Sequence, residues 1–158
     1  MEAISDVPGR RICLSPRGRR FDQAFAKELA HEPGAVLVCG RYEGIDQRVI
    51  EAREMEEVSL GDFVLTGGEI AAQALLDATV RLLPGVIGSE QGLDEESFED
   101  GLLEYPQYTH PKIWKGRSVP EVLLSGNHKK IAEWKKQQSE LVTRNYRPDL
   151  WEAYEGVK

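Results

Sequence analysis

The sequence predicts an α/β fold built on a parallel sheet, followed by a small helical module. Two observations carry this. First, short apolar runs alternate with helix-patterned segments over the first half of the 158-residue chain, in the order strand, helix, strand, helix, strand. Second, glycine-bearing loops follow those runs, where a parallel sheet gathers its ligand-binding loops. The two most prominent are GRYEG (Gly40–Gly44) and SLGDFVLTGGE (Ser59–Glu69), with Ile45–Val58 between them. Their glycines allow positive φ or close backbone approach. We read the loops as walls of a small-molecule pocket.

The elements are expected as follows. Arg11–Pro16 reads as a short buried strand that ends in a turn, SPRG, before Gly18. Phe21–His31 has apolar residues at 21, 24, 25 and 29, an amphipathic helical pattern, and Pro33-Gly34 stops it. Ala35–Gly40 is apolar throughout, as in a sheet covered on both faces. Asp46–Met55 fits a short helix, and Val58–Thr66 a third strand broken at Gly61-Asp62. Ile70–Leu83 is Ala- and Leu-rich and ends at Pro84-Gly85, a strong helix signal. Its Gln73, Asp77 and Arg81 share one stripe, which reads first as an exposed edge and second as a face toward the pocket.

Ser89–Tyr105 carries seven acids and no base, the composition of a mobile linker. The expected division is 1–88, an acidic linker 89–105, and a C-terminal module 106–158. In that module Asn127 is a suitable N-cap for a helix over Lys129–Leu141, with Ile131, Trp134 and Leu141 on its apolar side and lysines opposite.

Net charge is −7, yet Lys112–Arg147 alone is +6, with nine basic and three acidic residues, which leaves −13 for the remainder. A basic module on an acidic body suits local binding of a polyanion; a solvated basic face is the plainer alternative. Cys13 and Cys39 lie in apolar runs and read as buried hydrophobes. No apolar segment is long enough to span a membrane, and a reducing cytoplasm is the expected location. There is no GxxxxGK[ST], GxGxxG, HExxH, CxxC pair or GxSxG, which removes the P-loop, dinucleotide, zinc and nucleophile-elbow readings. What remains is a backbone-rich pocket suited to adenine and ribose, with Tyr42, Glu43 and Phe63 in its walls.

The segments LSPRGRRFDQ (Leu14–Gln23), VCGRYEGIDQRV (Val38–Val49), SLGDFVLTGGE, RLLPGVIG (Arg81–Gly88), EESFEDGLLEYPQYTHP (Glu95–Pro111), PEVLLSGNH (Pro120–His128) and RPDLW (Arg147–Trp151) resemble bacterial tRNA (guanine-N(1)-)-methyltransferase, the TrmD type of the SPOUT superfamily. They stand in that family's order and cover nearly the whole chain. The resemblance implies a deep trefoil knot over about Leu14–Gly68, S-adenosylmethionine bound in it, and a homodimer whose subunits share the active site. The substrate implied is tRNA, methylated at N(1) of the guanosine 3′ to the anticodon. By motif match the cofactor should be held by Gly40 and Leu60, Gly61, Asp62, Phe63, Val64 and Leu65. Leu14, Ser15, Pro16, Tyr42, Glu43, Gly44, Ser59, Gly67 and Gly68 should complete that pocket. Glu96 stands where the family has the aspartate that serves as base, and Arg81 where it has an arginine near the reacting groups. Lys129, Lys130, Lys135 and Lys136 are the expected RNA contacts. No dedicated metal site is expected, though Glu43 leaves room for Mg²⁺. His110 stands where the family usually has arginine. The family's leading strand and PYGGGPGM-like segment have no counterpart in the 158 residues, so the N-terminal part of the family fold is expected to be missing. Two alternatives stay open: a cofactor- and RNA-binding module without full catalysis, and a SPOUT relative with another RNA target.

Overall fold

The computed structural model describes residues 7–87 and 96–157. The chain divides into two compact units, Met1–Gly88 and Ser89–Lys158. In the first, β1 (Arg10–Arg20), α1 (Gln23–Ala30), β2 (Ala35–Val38), α2 (Gln47–Ala52), β3 (Glu56–Ser59) and α3 (Glu69–Val80) follow in order. The three strands form one parallel sheet in the order β2-β1-β3. Side chains alternate across the central strand, so successive residues feed opposite layers. Ile12 packs with Phe25, Leu29, Val58 and Leu75; Cys13 packs with Ile50 and Met55. One face is therefore closed by α1 and α3, the other by α2. Leu37 and Val38 of β2 add to the two layers but stay half-exposed, because β2 is an edge strand.

Local sequence explains the helix starts. Asp22 caps α1, its carboxylate accepting the Phe25 N–H at 2.8 Å. Asp46 caps α2 by accepting the Arg48 N–H at 2.9 Å. All three helices are shorter than their apolar patterns, α3 ending at Val80 rather than Leu83.

Two strand expectations are corrected. β1 does not end at Pro16. It loops out over residues 15–18 and resumes, so that Leu14 and Arg19 both lie opposite Val58. The chain is drawn back by the Phe21 N–H, which donates to the Ser59 carbonyl at 2.8 Å. Gly18 makes this possible: a Cβ there would sit 2.2 Å from the Glu57 carbonyl carbon. Likewise β3 stops at Ser59 instead of running to Thr66. The Ser59 hydroxyl accepts the Gly61 N–H and donates to the Gly61 carbonyl, both at 3.1 Å. Such local bonds offer the backbone an alternative to the ladder.

The second unit holds a hairpin of β4 (Ile113–Trp114) and β5 (Arg117–Ser118), then α4 (Glu121–Leu124), α5 (His128–Tyr146) and α6 (Pro148–Val157). Asn127 caps α5 as expected, accepting the Lys130 N–H at 3.2 Å. The helix runs five residues past Leu141, which is 51% exposed rather than packed. α6 is a helix the apolar pattern did not reveal. Pro148 explains its boundary, since proline disfavours helical backbone in the residue before it yet suits the first helical position. Arg147 accordingly leaves the helix at φ −136° and ψ 69°.

The mobile-linker expectation also changes. Its residues 89–95 lie outside the described residues. From Glu96 onward the segment is anchored. Leu102 is buried, and the Leu103 N–H donates to the Thr143 hydroxyl at 2.7 Å. That hydroxyl, fully buried, donates in turn to the Ser139 carbonyl at 2.7 Å. The Trp134 ring meets Tyr105 and Tyr108 at centroid separations of 6.4 and 6.1 Å. Replacing Thr143 with Val leaves the Leu103 N–H without its acceptor, at a cost of about 1–3 kcal/mol. The expected result is a lower unfolding midpoint for the second unit and faster hydrogen exchange at Leu103; unchanged exchange would show that the anchor lies elsewhere.

Candidate functional site

Beside the excursion in β1 and the carboxyl ends of β2 and β3, the first unit carries a cavity of about 560 Å³. That size lies within the ordinary range of roughly 300–1,000 Å³ for small-molecule pockets. Most of its walls come from four short segments, and Gln47 and Ile50 of α2 and Ala71 of α3 complete them. Leu14, Ser15 and Pro16 belong to the excursion in β1. Gly40, Tyr42, Glu43 and Gly44 form the loop after β2. Ser59, Leu60 and Gly61 end β3. Phe63, Val64, Leu65, Gly67 and Gly68 lead into α3. Asp62 is the one residue of the expected cofactor set that does not line the cavity; its side chain is exposed.

Backbone geometry builds these walls. The Gly68 N–H donates to the Gly40 carbonyl at 3.1 Å, and Arg41 and Gly67 form an antiparallel bridge. The two glycine loops therefore meet main chain to main chain. Gly68 is buried, and a Cβ on it would lie 2.9 Å from Cys39 Cα. Tyr42 at φ +60° and Gly44 at φ +101° turn the first loop. The Tyr42 side chain is fully exposed there, and Phe63 is 53% exposed.

Charges sit at the rim and along one wall. Arg41 Nε donates to Glu69 Oε1 at 2.7 Å. The Glu69 backbone N–H, and then this guanidinium, hold the Glu69 carboxyl below the usual carboxylate range. Arg17 Nη2 reaches Glu57 Oε1 at 2.9 Å and Gln47 Oε1 at 3.2 Å, and all three residues line the cavity. The motif reading did not single them out. Arg17 lay within SPRG, and Glu57 precedes the strand expected to begin at Val58. Cys13 is in the wall as well, but burial first and Glu57 second push its thiol pKa up, which keeps it a protonated thiol rather than a nucleophile.

Of the residues expected to react, Arg81 does not line this cavity. Arg81 caps the far end of α3, ten residues beyond Ala71 of the cavity wall, about 15 Å along a helix. Gln73 and Asp77 of its stripe are exposed, so within this chain the stripe is a solvent edge. Glu96 belongs to the second unit. There it lines a separate cavity of about 450 Å³ with Asp100, Tyr105, Lys135, Lys136 and Tyr154 among its walls. The four lysines do not share one face. Lys129, Lys130 and Lys136 are exposed, whereas Lys135 is half-buried with Nζ 4.7 Å from the Tyr105 ring centre.

The sequence that carries these motifs matches a known family. The profile of tRNA (Guanine-1)-methyltransferase TrmD matches residues 1–153. The chain belongs to this family. It is 61% identical over 147 residues to a tRNA (guanine-N(1)-)-methyltransferase of Ruegeria pomeroyi, covering 93% of this chain and 60% of that protein. It is 62% identical over 148 residues to one from a Chelativorans species, covering 94% and 63%. A relative from Rhodopseudomonas palustris is 60% identical over 154 residues, covering 97% and 61%. The chain thus spans about three-fifths of the length of these TrmD-family relatives.

Among the described residues, no group of three or more His, Cys, Asp or Glu is placed to hold a metal ion. No described helix is long and apolar enough to cross a membrane. Gly68 has ordinary helical backbone, φ −77° and ψ −8°, so alanine there is strained only by contact. Because that contact is main chain, Gly68→Ala should cost about 1–3 kcal/mol and lower the thermal midpoint of the first unit. An unchanged midpoint would mean the two glycine loops do not touch.

Proposed function

We propose that this chain serves S-adenosylmethionine-dependent methylation of N(1) of the guanosine 3′ to the anticodon in tRNA. One observation supports this above the rest: fifteen of the sixteen residues matched to the family's cofactor motifs line a single cavity. The cavity also fits the cofactor in kind. Main chain from Gly40 and from Leu60 to Leu65 offers donors and acceptors to an adenine and ribose, with Phe63, Leu65 and Ile45 as apolar surface beside them. The cofactor, when bound, supplies an electrophilic methyl group. The trefoil knot over about Leu14–Gly68 is part of the same reading.

The residues then have separate tasks. Guanine N(1) carries a proton that must leave as the methyl arrives, and Glu96 is the general base that takes it. Arg81 stabilises the negative charge that gathers on guanine O6. In a homodimer both are contributed to an active site shared between subunits. The exposed Ile70, Leu76 and Val80 on α3, 60%, 48% and 41% accessible, give a second copy an apolar surface to cover. Mg²⁺ has Glu43 as a carboxylate at the cavity but is not required by these roles. The reaction is placed in the cytoplasm.

The direct test is methyl transfer to tRNA with the cofactor in excess. Glu96→Gln should lower the rate about 10²–10⁴-fold while leaving cofactor affinity unchanged. A rate near that of the parent would assign the base elsewhere. Cofactor and tRNA binding without turnover in the parent chain would favour a binding module, in keeping with Arg81 lying beyond the cavity lining.

The lysines divide in the same test. Lys129, Lys130 and Lys136 changed together to Ala should weaken tRNA binding and reduce the slope of log K against log[salt] by roughly 0.7–0.9 per lost phosphate contact. An unaltered salt slope would remove α5 from the RNA surface. Lys135→Ala should act instead through its packing on Tyr105.

A further inference from the structure

The β4–β5 hairpin is exposed throughout, from residue 111 to residue 118. Its turn is well formed. Lys115 and Gly116 both hold positive φ, +48° and +77°, as in the two-residue turns whose twist matches that of the paired strands. The Val119 N–H donates to the Lys112 carbonyl at 2.9 Å and closes the open end. Two large apolar side chains stand on this hairpin, Ile113 at 63% and Trp114 at 54% exposure. A two-stranded hairpin has no interior of its own to fill, so core packing does not account for the tryptophan. Trp114 lies opposite Arg117, and directly opposed residues share one face. Lys115 brings its Nζ to 5.0 Å from the centre of the Trp114 ring. Between Glu104 and Glu121 the sequence has no acid, and Lys112, Lys115 and Arg117 make that stretch +3 in a chain of net charge −7.

We propose that this hairpin is a contact for unpaired RNA: the Trp114 ring stacks on an unpaired base of the tRNA, while Lys115 and Arg117 meet the phosphate beside that base. This rests on the tRNA reading above and deepens it, adding a contact element outside α5. The occupant follows from the combination of groups. A flat ring alone suits any apolar partner, and cations alone suit any anion. A nucleotide carries a π-face and a phosphate in one unit, so both are engaged together. A duplex keeps its base faces stacked on one another, which leaves loops and other unpaired stretches as the fitting partner. An acidic side chain would satisfy the cations but leave the indole uncovered. The tight turn holds the ring and the charges in place before RNA arrives, which reduces the ordering lost on binding. Every base has a π-face, so such a contact adds affinity without selecting sequence.

The test is tRNA binding by the full chain over a range of salt concentrations, with S-adenosylmethionine binding and the thermal midpoint measured beside it. Trp114→Ala should weaken tRNA binding about fivefold to a hundredfold. The slope of log K against log[salt] should not change, because stacking releases no counterion. Trp114→Phe keeps a ring face and should lose less than Trp114→Ala. Lys115→Gln combined with Arg117→Gln should instead reduce the slope by roughly 0.7 per lost phosphate contact. Cofactor affinity and the midpoint should stay at the parent's values in all three variants, since the hairpin is exposed and none of these residues lines the cavity of the first unit. Unaltered tRNA affinity in Trp114→Ala would overturn the proposal and leave the hairpin as a surface for a protein partner. Equal losses in Trp114→Phe and Trp114→Ala would overturn it too, as would a shallower salt slope in Trp114→Ala. If the parent itself binds no tRNA, the tRNA reading fails, and this inference with it.

Discussion

The first unit depends on a main-chain contact between two loops. The Gly68 N–H meets the Gly40 carbonyl at 3.1 Å, with Cys39 Cα packed where a Gly68 side chain would be. The two glycine-loop walls of the cavity follow from this closure. It brings the loop after β2 against the segment entering α3. It aligns Arg41 with Gly67 in a bridge and with Glu69 in an ion pair. The contact is steric as much as bonding, since a single hydrogen bond contributes only about 1 kcal/mol net. What holds the loops in place is the sheet beneath them. β1 is paired on both sides, and its Ile12 and Cys13 anchor the two apolar layers.

A second close approach completes the cavity floor. The excursion at residues 15–18 is possible because Gly18 lies directly on the Glu57–Val58 peptide. The excursion lifts Ser15, Pro16 and Arg17 into the wall, and the strand then resumes. Gly18 and Gly68 thus serve the same purpose: each lets main chain approach where a side chain would stand. A pocket made this way presents peptide groups at close range, a surface suited to a flat heterocycle and ribose.

Much of this was legible in the sequence, and the parts that were not have physical reasons. The glycine loops stand out because no packing requirement explains so many glycines beside apolar runs. The caps at Asp22, Asp46 and Asn127 fit ordinary N-terminal chemistry, and the sequence alone predicts the one at Asn127. The extent of β3 was not legible, because Leu60–Leu65 has strand-like composition while the Ser59 hydroxyl captures both main-chain groups of Gly61. Thr143 gave no signal, since a threonine inside a helix pattern looks like any polar position. Only the approach of Leu103, forty residues earlier, turns it into an anchor. The acids of 89–105 suggested a solvated linker, yet Leu102 and Leu103 between them were apolar enough to dock. α6 did carry a signal in Pro148 followed by Asp149, a sound helix start that the apolar pattern alone overlooked.

The distribution of tasks between main chain and side chain has a consequence for variation. A nucleoside end built from peptide groups tolerates most side-chain changes, provided the glycines remain. The proposed electrostatic partner, Arg81, lies at the far end of α3, beyond the cavity lining, and the proposed base, Glu96, belongs to the second unit. Affinity for the nucleoside and turnover therefore draw on different sets of residues. A substitution that disturbs one set need not disturb the others. The exception is any change that opens the Gly40–Gly68 contact, since the cavity walls on either side of it are continuous with that single closure.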